Sequence, residues 1–233
     1  MTVRLLSASV LVALLALATT ACRGPEATRA VAYSAYSEDT TTSTSDLEAL
    51  YWARQDSARA AFTAADVRFM TGMIAHHAQA LVLSSLAPTH GASEPVRTLA
   101  ARISNAQNDE IATMERWLRE RDQPVPTIEI DGTALQVDGR SVHGRDMAGI
   151  LTQAQIDKLD AARGTAFDRL FLTYMIEHHR GAVTMVDTLF GAEGAAQDGA
   201  AFRLASDINV DQKTEIDRMR RMLRTLPGTS QTP

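Results

Sequence analysis

The sequence predicts an all-α protein, an antiparallel four-helix bundle made from two repeated αα-hairpins. Three observations predict it. Apolar residues recur with a helical period from residue 46 onward. The motif Met-Ile-x-His-His occurs twice, at 73–77 and 175–179, and Gln-x-x-Glu-Ile-x-x-Met also occurs twice, at 107–114 and 212–219. Each copy therefore contains a helix–loop–helix, and two such hairpins pack most simply as a bundle with a pseudo-twofold axis.

The N-terminus has the pattern of an export signal. Residues 1–21 contain Arg4 followed by a mostly apolar stretch, Leu5–Ala18, that is too short to span a bilayer. Small residues then precede Cys22, as in a bacterial lipoprotein cleavage site, where the new N-terminal cysteine receives lipid. An ordinary secretory signal cut near Ala21 is the alternative. We expect an exported protein of the cell envelope or periplasm, anchored to a membrane through Cys22.

Composition excludes several classes of function. Cys22 is the only cysteine, so the chain can form no internal disulfide and any soft sulfur ligand in the folded part is methionine. The net charge is −5, and removal of Arg4 with the signal makes it −6. Such an acidic chain argues against a nucleic-acid partner. Residues 22–45 are rich in Thr, Ser and Ala, and predict a flexible tether.

The segment 46–121 is predicted to hold the first helical repeat. A first helix over roughly 46–60 begins after Ser45, which we expect to act as its N-cap. Thr63 and Asp66 have the spacing of a capping box that opens the helix with the first His-His pair.

The loop and second helix of this hairpin follow. His90 lies beside Pro88 in a polar loop, where we expect a solvated turn residue. Ser93 is the predicted N-cap of the next helix, which runs to Arg121 before Pro124 stops it.

The connector is predicted over 122–164. Residues 128–137 alternate around an Asp-Gly pair, which is typical of a short β-hairpin. Thr152 is spaced to cap a short helix. The second helical repeat is predicted over 165–226, and a tail over 227–233.

The paired histidines are centred on the apolar face of their helix. With about 100° per residue, His76 and His77 fall about 60° and 40° to either side of Met73. Ala80 follows on the same stripe and leaves room beside the rings. The second copy repeats the pattern with Met175, His178 and His179. We therefore expect the imidazoles to point into the bundle.

The second helix of each hairpin carries a matching irregularity. Gln107 and Glu110 interrupt an otherwise apolar stripe, and Gln212 and Glu215 do the same in the second copy. A buried carboxylate is costly unless it is paired, hydrogen-bonded or bound to metal. Glu110 and Glu215 are therefore candidate metal ligands, or partners that orient the imidazoles.

Two interpretations of these residues remain open. The first is a metal site, and the second is a His–Glu–Gln hydrogen-bond network that fixes helix register and binds nothing. Imidazole with thioether favours copper, as Cu(I) or Cu(II). Zinc seldom uses methionine, and the Glu-x-x-His spacing of di-iron bundles is absent, so zinc and iron are less favoured. His143 and Met147 form a weaker pair, which we interpret as structural.

No nucleophile–base pair or cofactor-binding loop is evident in the sequence. We therefore predict a non-enzymatic protein that buffers copper or hands it to a delivery partner that the sequence does not identify. A metal-dependent oxidoreductase that uses the same ligands is the enzymatic alternative.

These motifs also carry a family resemblance. The stretch Phe-Met-x-x-Met-Ile-x-His-His-x-x-Ala at 69–80, its counterpart at 164–182 and the two Gln-x-x-Glu-Ile-x-x-Met stretches resemble the domain-of-unknown-function 305 family over roughly residues 60–225. The resemblance implies a ferritin-like bundle, export and, for some members, copper binding and copper tolerance. It implies as ligands His76, His77, His178, His179, Met73 and Met175. Gln79 stands where the second copy has Gly181, so the two halves need not bind metal equally.

Overall fold

The computed structural model describes residues 43–142 and 147–228. The predicted signal peptide, Cys22, nearly all of the tether and His143 lie outside the described residues. The helices are α1 (Thr44–Ala60), α2 (Ala64–Ser85), α3 (Glu94–Arg119), α4 (Gln153–Ala161), α5 (Gly164–Gly191) and α6 (Gly199–Thr225). The strands are β1 (Ile128–Asp131), β2 (Ala134–Val137) and β3 (Arg140–Ser141). None of the helices in this part of the chain combines the length and apolar character needed to cross a membrane.

The protein is mostly helical, as predicted, with one small antiparallel sheet. Within each repeat the two long helices pack along each other, α2 on α3 and α5 on α6. The repeats meet where α2 contacts α5, with a smaller contact between α3 and α6. The first half of α2 shares a cluster with the second half of α5, so these two helices run antiparallel.

The core has two apolar clusters, one on each side of the histidines. One cluster contains Met73 of α2 and Ala182 of α5. The other contains Ala80 of α2 and Met175 of α5. Because the four histidines fall between these positions along both helices, they form a polar layer inside an otherwise apolar core. A layer of this kind is stable only if its polar groups find partners or ligands.

Two of the predicted helix starts are confirmed by their hydrogen bonds. Thr63 and Asp66 form the capping box of α2. Thr152 and Gln155 form that of α4. The predicted cap at Ser45 is wrong, because α1 begins at Thr44 and places Ser45 within the helix.

Ser93 occupies the N-cap position of α3, but its side chain makes no cap hydrogen bond. Instead its backbone N–H donates to Oδ1 of Asp168 on α5, over 3.1 Å. The other repeat has a parallel arrangement, in which the N–H of Ala196 donates to Oδ1 of Asp66 over 2.7 Å. Each helix that carries a histidine pair therefore has a buried aspartate that binds the loop of the other repeat. Asp168 of α5 binds the loop before α3, and Asp66 of α2 binds the loop before α6.

The connector contains the predicted hairpin and one further strand. β1 and β2 pair antiparallel in the register Asp131 to Ala134, around the predicted Asp-Gly turn. β3 pairs with β2 through Val137 and Arg140 and was not predicted. A second Asp-Gly pair, with Gly139 at a φ of +70°, makes that turn. The same dipeptide signal could therefore have indicated β3.

Candidate metal centre

Helices α2 and α5 bring all four predicted histidines into one buried layer. His76, His77, His178 and His179 are each 0% exposed. The rings of His76 and His178 face each other across the interface of the two repeats, with centroids 3.8 Å apart and planes tilted by 39°. Within each pair the rings are farther apart, at 6.3 Å and 6.2 Å. The two inner imidazoles therefore form the centre of the layer.

The hydrogen bonds of the inner pair define its tautomer. Nε2 of His76 lies 3.2 Å from the carbonyl oxygen of Ala148. Nε2 of His178 lies 3.0 Å from the carbonyl oxygen of His76 itself. A carbonyl oxygen only accepts, so each Nε2 carries the proton and donates it. In a neutral ring the other nitrogen, Nδ1, then has a free lone pair.

The environment keeps both inner rings neutral. Burial lowers the pKa of His76 well below its ordinary value, and the neighbouring imidazoles of His77 and His179 lower it further. Burial likewise lowers the pKa of His178, followed by the effects of His76 and the two outer histidines. The Nδ1 atoms of both rings are buried and have no hydrogen-bond partner within the described residues. The Nδ1 atoms of the two inner rings are therefore uncharged electron-pair donors inside the protein.

The outer histidines, His77 and His179, face the two carboxylates that the sequence predicts as ligands or as partners that orient the rings. Nε2 of His179 hydrogen-bonds Oε2 of Glu215 over 2.6 Å. Nε2 of His77 lies 2.7 Å from Oε2 of Glu110, but the alignment is too poor for a hydrogen bond. Both carboxylates are largely buried, with 14% of the Glu110 side chain and 21% of the Glu215 side chain exposed. The predicted juxtaposition of imidazole and carboxylate is present in both repeats.

The glutamines one turn earlier are buried, and the amide oxygen of each has no hydrogen-bond partner among the described residues. Gln107 is 1% exposed and neither of its amide atoms has a hydrogen-bond partner among the described residues. Gln212 is 2% exposed and its Oε1 also has none in this part of the chain. Unpartnered buried amides are costly, so the layer contains more polar groups than the protein itself satisfies.

The two methionines predicted as ligands are also completely buried. Met73 and Met175 are 0% exposed, and each belongs to a different one of the two apolar clusters that flank the histidines. Their thioethers are the soft donors nearest in sequence to the imidazoles, each one helical turn away.

The connector closes one side of the histidine layer and makes the two halves unequal. Gly149, at a φ of +77°, lies against Gly181 of α5. A Cβ on Gly181 would lie 2.1 Å from the oxygen of Ala148. Only glycine permits this approach, which delivers the Ala148 carbonyl to His76.

The first repeat uses a different residue at the equivalent position. Gln79 of α2 donates through its amide nitrogen to the oxygen of Leu151 over 3.0 Å and accepts from the nitrogen of Leu151 over 2.8 Å. The difference between Gln79 and Gly181 therefore fixes where the connector crosses. Sequence reasoning noted this difference but did not predict that a backbone carbonyl would serve as a partner of histidine.

His90 is not a solvated turn residue, because it is only 5% exposed. Its Nδ1 lies 2.9 Å from Oγ1 of Thr89 and its Nε2 lies 2.9 Å from Oδ1 of Asp160.

Among residues 43–142 and 147–228, no three histidine, cysteine, aspartate or glutamate side chains stand close enough together to hold a metal ion. The inner histidines are therefore a pair of nitrogen donors and not part of a group of three such side chains among the described residues.

The comparisons with known proteins agree with this architecture. The model of the family "Domain of unknown function (DUF305)" matches residues 66–223, which is more than half of the chain. The chain belongs to the DUF305 family. The crystal structure of a DUF305 fragment from Deinococcus radiodurans is 30% identical, covering 70% of this chain and 97% of that one at a TM-score of 0.57. No protein with a curated description matches the sequence.

Two further solved structures relate this DUF305 protein to named proteins. A predicted secreted DUF305 protein from Streptomyces coelicolor is 29% identical, covering 69% of this chain and 92% of its own, at a TM-score of 0.56. CopM in its Cu(I)-bound form is 27% identical, covering 70% of this chain and 98% of its own, at a TM-score of 0.50. CopM also has Cu(II)-bound and silver-bound structures.

Proposed function

We propose that this chain is an exported copper-binding protein that sequesters copper in the cell envelope. The single observation that carries the proposal is the inner pair of imidazoles. His76 and His178 are neutral and completely buried, and the Nδ1 of each is buried without a hydrogen-bond partner among the described residues. Lone pairs that have neither a proton nor a donor are what a soft metal ion requires.

The surrounding residues support copper over other metals. Imidazole nitrogen with the thioethers of Met73 and Met175 is a donor set that selects Cu(I). His77 and His179, with Glu110 and Glu215, form the outer part of the proposed site. There the carboxylates orient the rings and balance the charge of a bound ion. The structural similarity to CopM, which has Cu(I)-, Cu(II)- and silver-bound forms, supports the same choice.

The remaining parts of the proposal concern the setting of the site. We interpret the two hairpins as a four-helix, ferritin-like bundle, with repeats over 46–121 and 165–226 joined by the connector. Export is supported by the signal pattern and by the predicted secretion of the Streptomyces coelicolor protein. A lipid on Cys22 and the tether would hold the bundle at a membrane surface, where a copper-delivery protein could reach it.

A structural role for the polar layer is the competing function. It is favoured by the two His–Glu contacts, which form between protein groups alone. Such a network fixes helix register and needs no ion. It leaves the Nδ1 atoms of all four histidines without a partner among the described residues, and that is why we prefer the metal site.

Competition against a chromogenic Cu(I) chelator tests the proposal on the purified full-length chain. We expect the double substitution His76→Gln and His178→Gln to weaken Cu(I) affinity by at least about 100-fold, since even residues outside the ligand shell are worth about 10- to 100-fold. His90→Gln is the matched control, because this buried histidine has partners on both nitrogens. Equal copper uptake by all three proteins, with no copper-dependent rise in melting temperature, would favour the structural role.

A further inference from the structure

A small acidic cavity lies between α3 and α6, beside the outer histidines. It measures about 180 Å³, and three carboxylates, two amides and one cation line it: Glu110, Glu215, Asp211, Gln107, Gln212 and Arg102. The described residues that line it include neither cysteine nor methionine. The carboxylates are close enough to influence one another: burial raises the pKa of Asp211, and the charges of Glu110 and Glu215 raise it further. Negative charge is therefore concentrated in one concave place on the surface.

The polar groups of this cavity become progressively more buried toward the core. Asp211 is exposed. Glu110 and Glu215 are largely covered, and the histidines that they contact are completely buried. The cavity and the imidazole layer are thus joined directly by carboxylates, over contacts of 2.7 Å and 2.6 Å.

Buried amides without partners lie along the same path. Gln107 and Gln212 are at least nine-tenths buried, line the cavity, and offer amide oxygens with no hydrogen-bond partner among the described residues. Amide and carboxylate oxygens exchange readily with the water shell of a cation. These unpartnered oxygens are an observation independent of the charge cluster.

The connector covers the histidine layer at His76. There the connector backbone lies against α5 at Gly181, and its Ala148 carbonyl occupies Nε2 of His76. Gln79 fixes the connector to α2 through both of its amide atoms. The carboxylates that contact the histidines come instead from α3 and α6.

We propose that the acidic cavity is the entry route by which a monovalent or divalent metal cation reaches the buried imidazoles. This inference rests on the proposed function, because it assigns the path to that same site. Asp211 attracts the cation. Glu110 and Glu215 then bind it in place of their contacts with His77 and His179, and release it toward the inner rings. The amide oxygens of Gln107 and Gln212 replace its water ligands along this path. Electrostatic focusing of this kind accelerates association.

The test separates the rate of copper uptake from the affinity at equilibrium. The full-length apoprotein is mixed anaerobically with Cu(I) kept soluble by acetonitrile, and uptake is followed by stopped-flow quenching of tryptophan fluorescence. Ala106 lines the cavity and is exposed, so Ala106→Phe obstructs it without removing a ligand or a charge. Ala112→Phe is the control, on an exposed position of the same helix that does not line the cavity.

We expect Ala106→Phe to slow uptake by about tenfold or more, which is the lower end of the range for a focusing cleft, while the equilibrium Kd stays within about twofold. Asp211→Asn should slow uptake and weaken its dependence on salt, and Asp217→Asn, at an exposed position of the same helix that does not line the cavity, should do neither. Unchanged uptake rates in Ala106→Phe would overturn the route. A weakened Kd with an unchanged rate would also overturn it, since the cavity residues would then be ligands. No copper binding by the unmodified protein would instead overturn the proposed function.

Discussion

His76 and His178 stack across the boundary between the two repeats, with ring centroids 3.8 Å apart, and each donates its Nε2 proton to a backbone carbonyl. This contact joins two residues that are 102 positions apart in sequence but equivalent in the repeat. Two protonated rings at this separation would repel each other strongly in a buried place. The pair therefore excludes protonation of both rings at once, and burial lowers the pKa of each.

The tautomer of this pair is a direct prediction. In the metal-free protein near neutral pH, nitrogen-15 spectra should show protonated Nε2 and unprotonated Nδ1 for both His76 and His178, because carbonyl oxygens only accept. Addition of Cu(I) should shift the two Nδ1 resonances and leave those of His90 in place. Protonated Nδ1 in the inner rings would contradict the proposed donor atoms.

The stability of the metal-free protein should fall in mild acid. Burial lowers the pKa of both inner histidines below 6.5, so the unfolded chain binds more protons than the folded one once the pH falls below that value. Each such group removes up to about 1.4 kcal/mol of unfolding free energy per pH unit. Urea unfolding between about pH 7.5 and 5.5 measures this loss, since carboxylates with ordinary pKa values stay ionised there.

Replacement of the inner pair provides the control for this pH effect. His76→Gln with His178→Gln removes both titrating rings, so the unfolding free energy should depend less steeply on pH over the same range. An unchanged slope would mean that other groups are responsible for the acid sensitivity.

Sequence reasoning reached the fold of this chain more completely than the detail of its site. The helical period and the doubled motifs predicted every long helix, because an amphipathic helix records its buried face in its own residues. The inward direction of the histidines followed from the same periodicity. The periodicity did not predict that the Ala148 carbonyl contacts His76, because that contact depends on where the connector crosses another helix.

His90 illustrates the same limit. Its neighbours in sequence indicated an exposed loop, yet Asp160 and Thr89 bury it by contacts that involve the connector. A local pattern reports the face of one helix, whereas burial of a loop residue depends on chain segments far away in sequence. The increase in burial from Asp211 through Glu110 and Glu215 to the histidines could not be predicted either, because it also depends on segments that are far apart in sequence.

Gly181→Ala tests the crossing of the connector over α5. The added Cβ would lie 2.1 Å from the Ala148 oxygen and 2.5 Å from Cα of Gly149, both backbone atoms that cannot rotate away. We expect a loss of about 1–3 kcal/mol in unfolding free energy and a change in the nitrogen-15 shift of His76. Gly191→Ala, in the same helix but with open space around the new Cβ, should change stability by no more than about 1 kcal/mol.

Asp198 holds together the buried end of α3 and the start of α6. Oδ1 accepts from the backbone N–H groups of Ala200 and Ala201, and Oδ2 accepts from the guanidinium of Arg121. The indole N–H of Trp117 also donates to Oδ1, over 3.3 Å. Burial alone would raise the pKa of Asp198, but hydrogen bonds from Ala201, Arg121 and Trp117 together lower it.

Asp198→Ala should therefore be among the most damaging single substitutions far from the histidines. It removes the N-cap of α6 and leaves Arg121, whose side chain is 4% exposed, without its buried carboxylate partner and with only the 3.7 Å pair to the exposed Glu120 among the described residues. Breaking a buried pair in this way costs about 3–5 kcal/mol, measured as the loss of unfolding free energy in urea. Asp217→Ala is the matched control, because its pair with Arg220 is exposed and such pairs contribute at most about 1 kcal/mol. Similar losses in the two variants would show that Arg121 finds another partner or reaches water when Asp198 is absent.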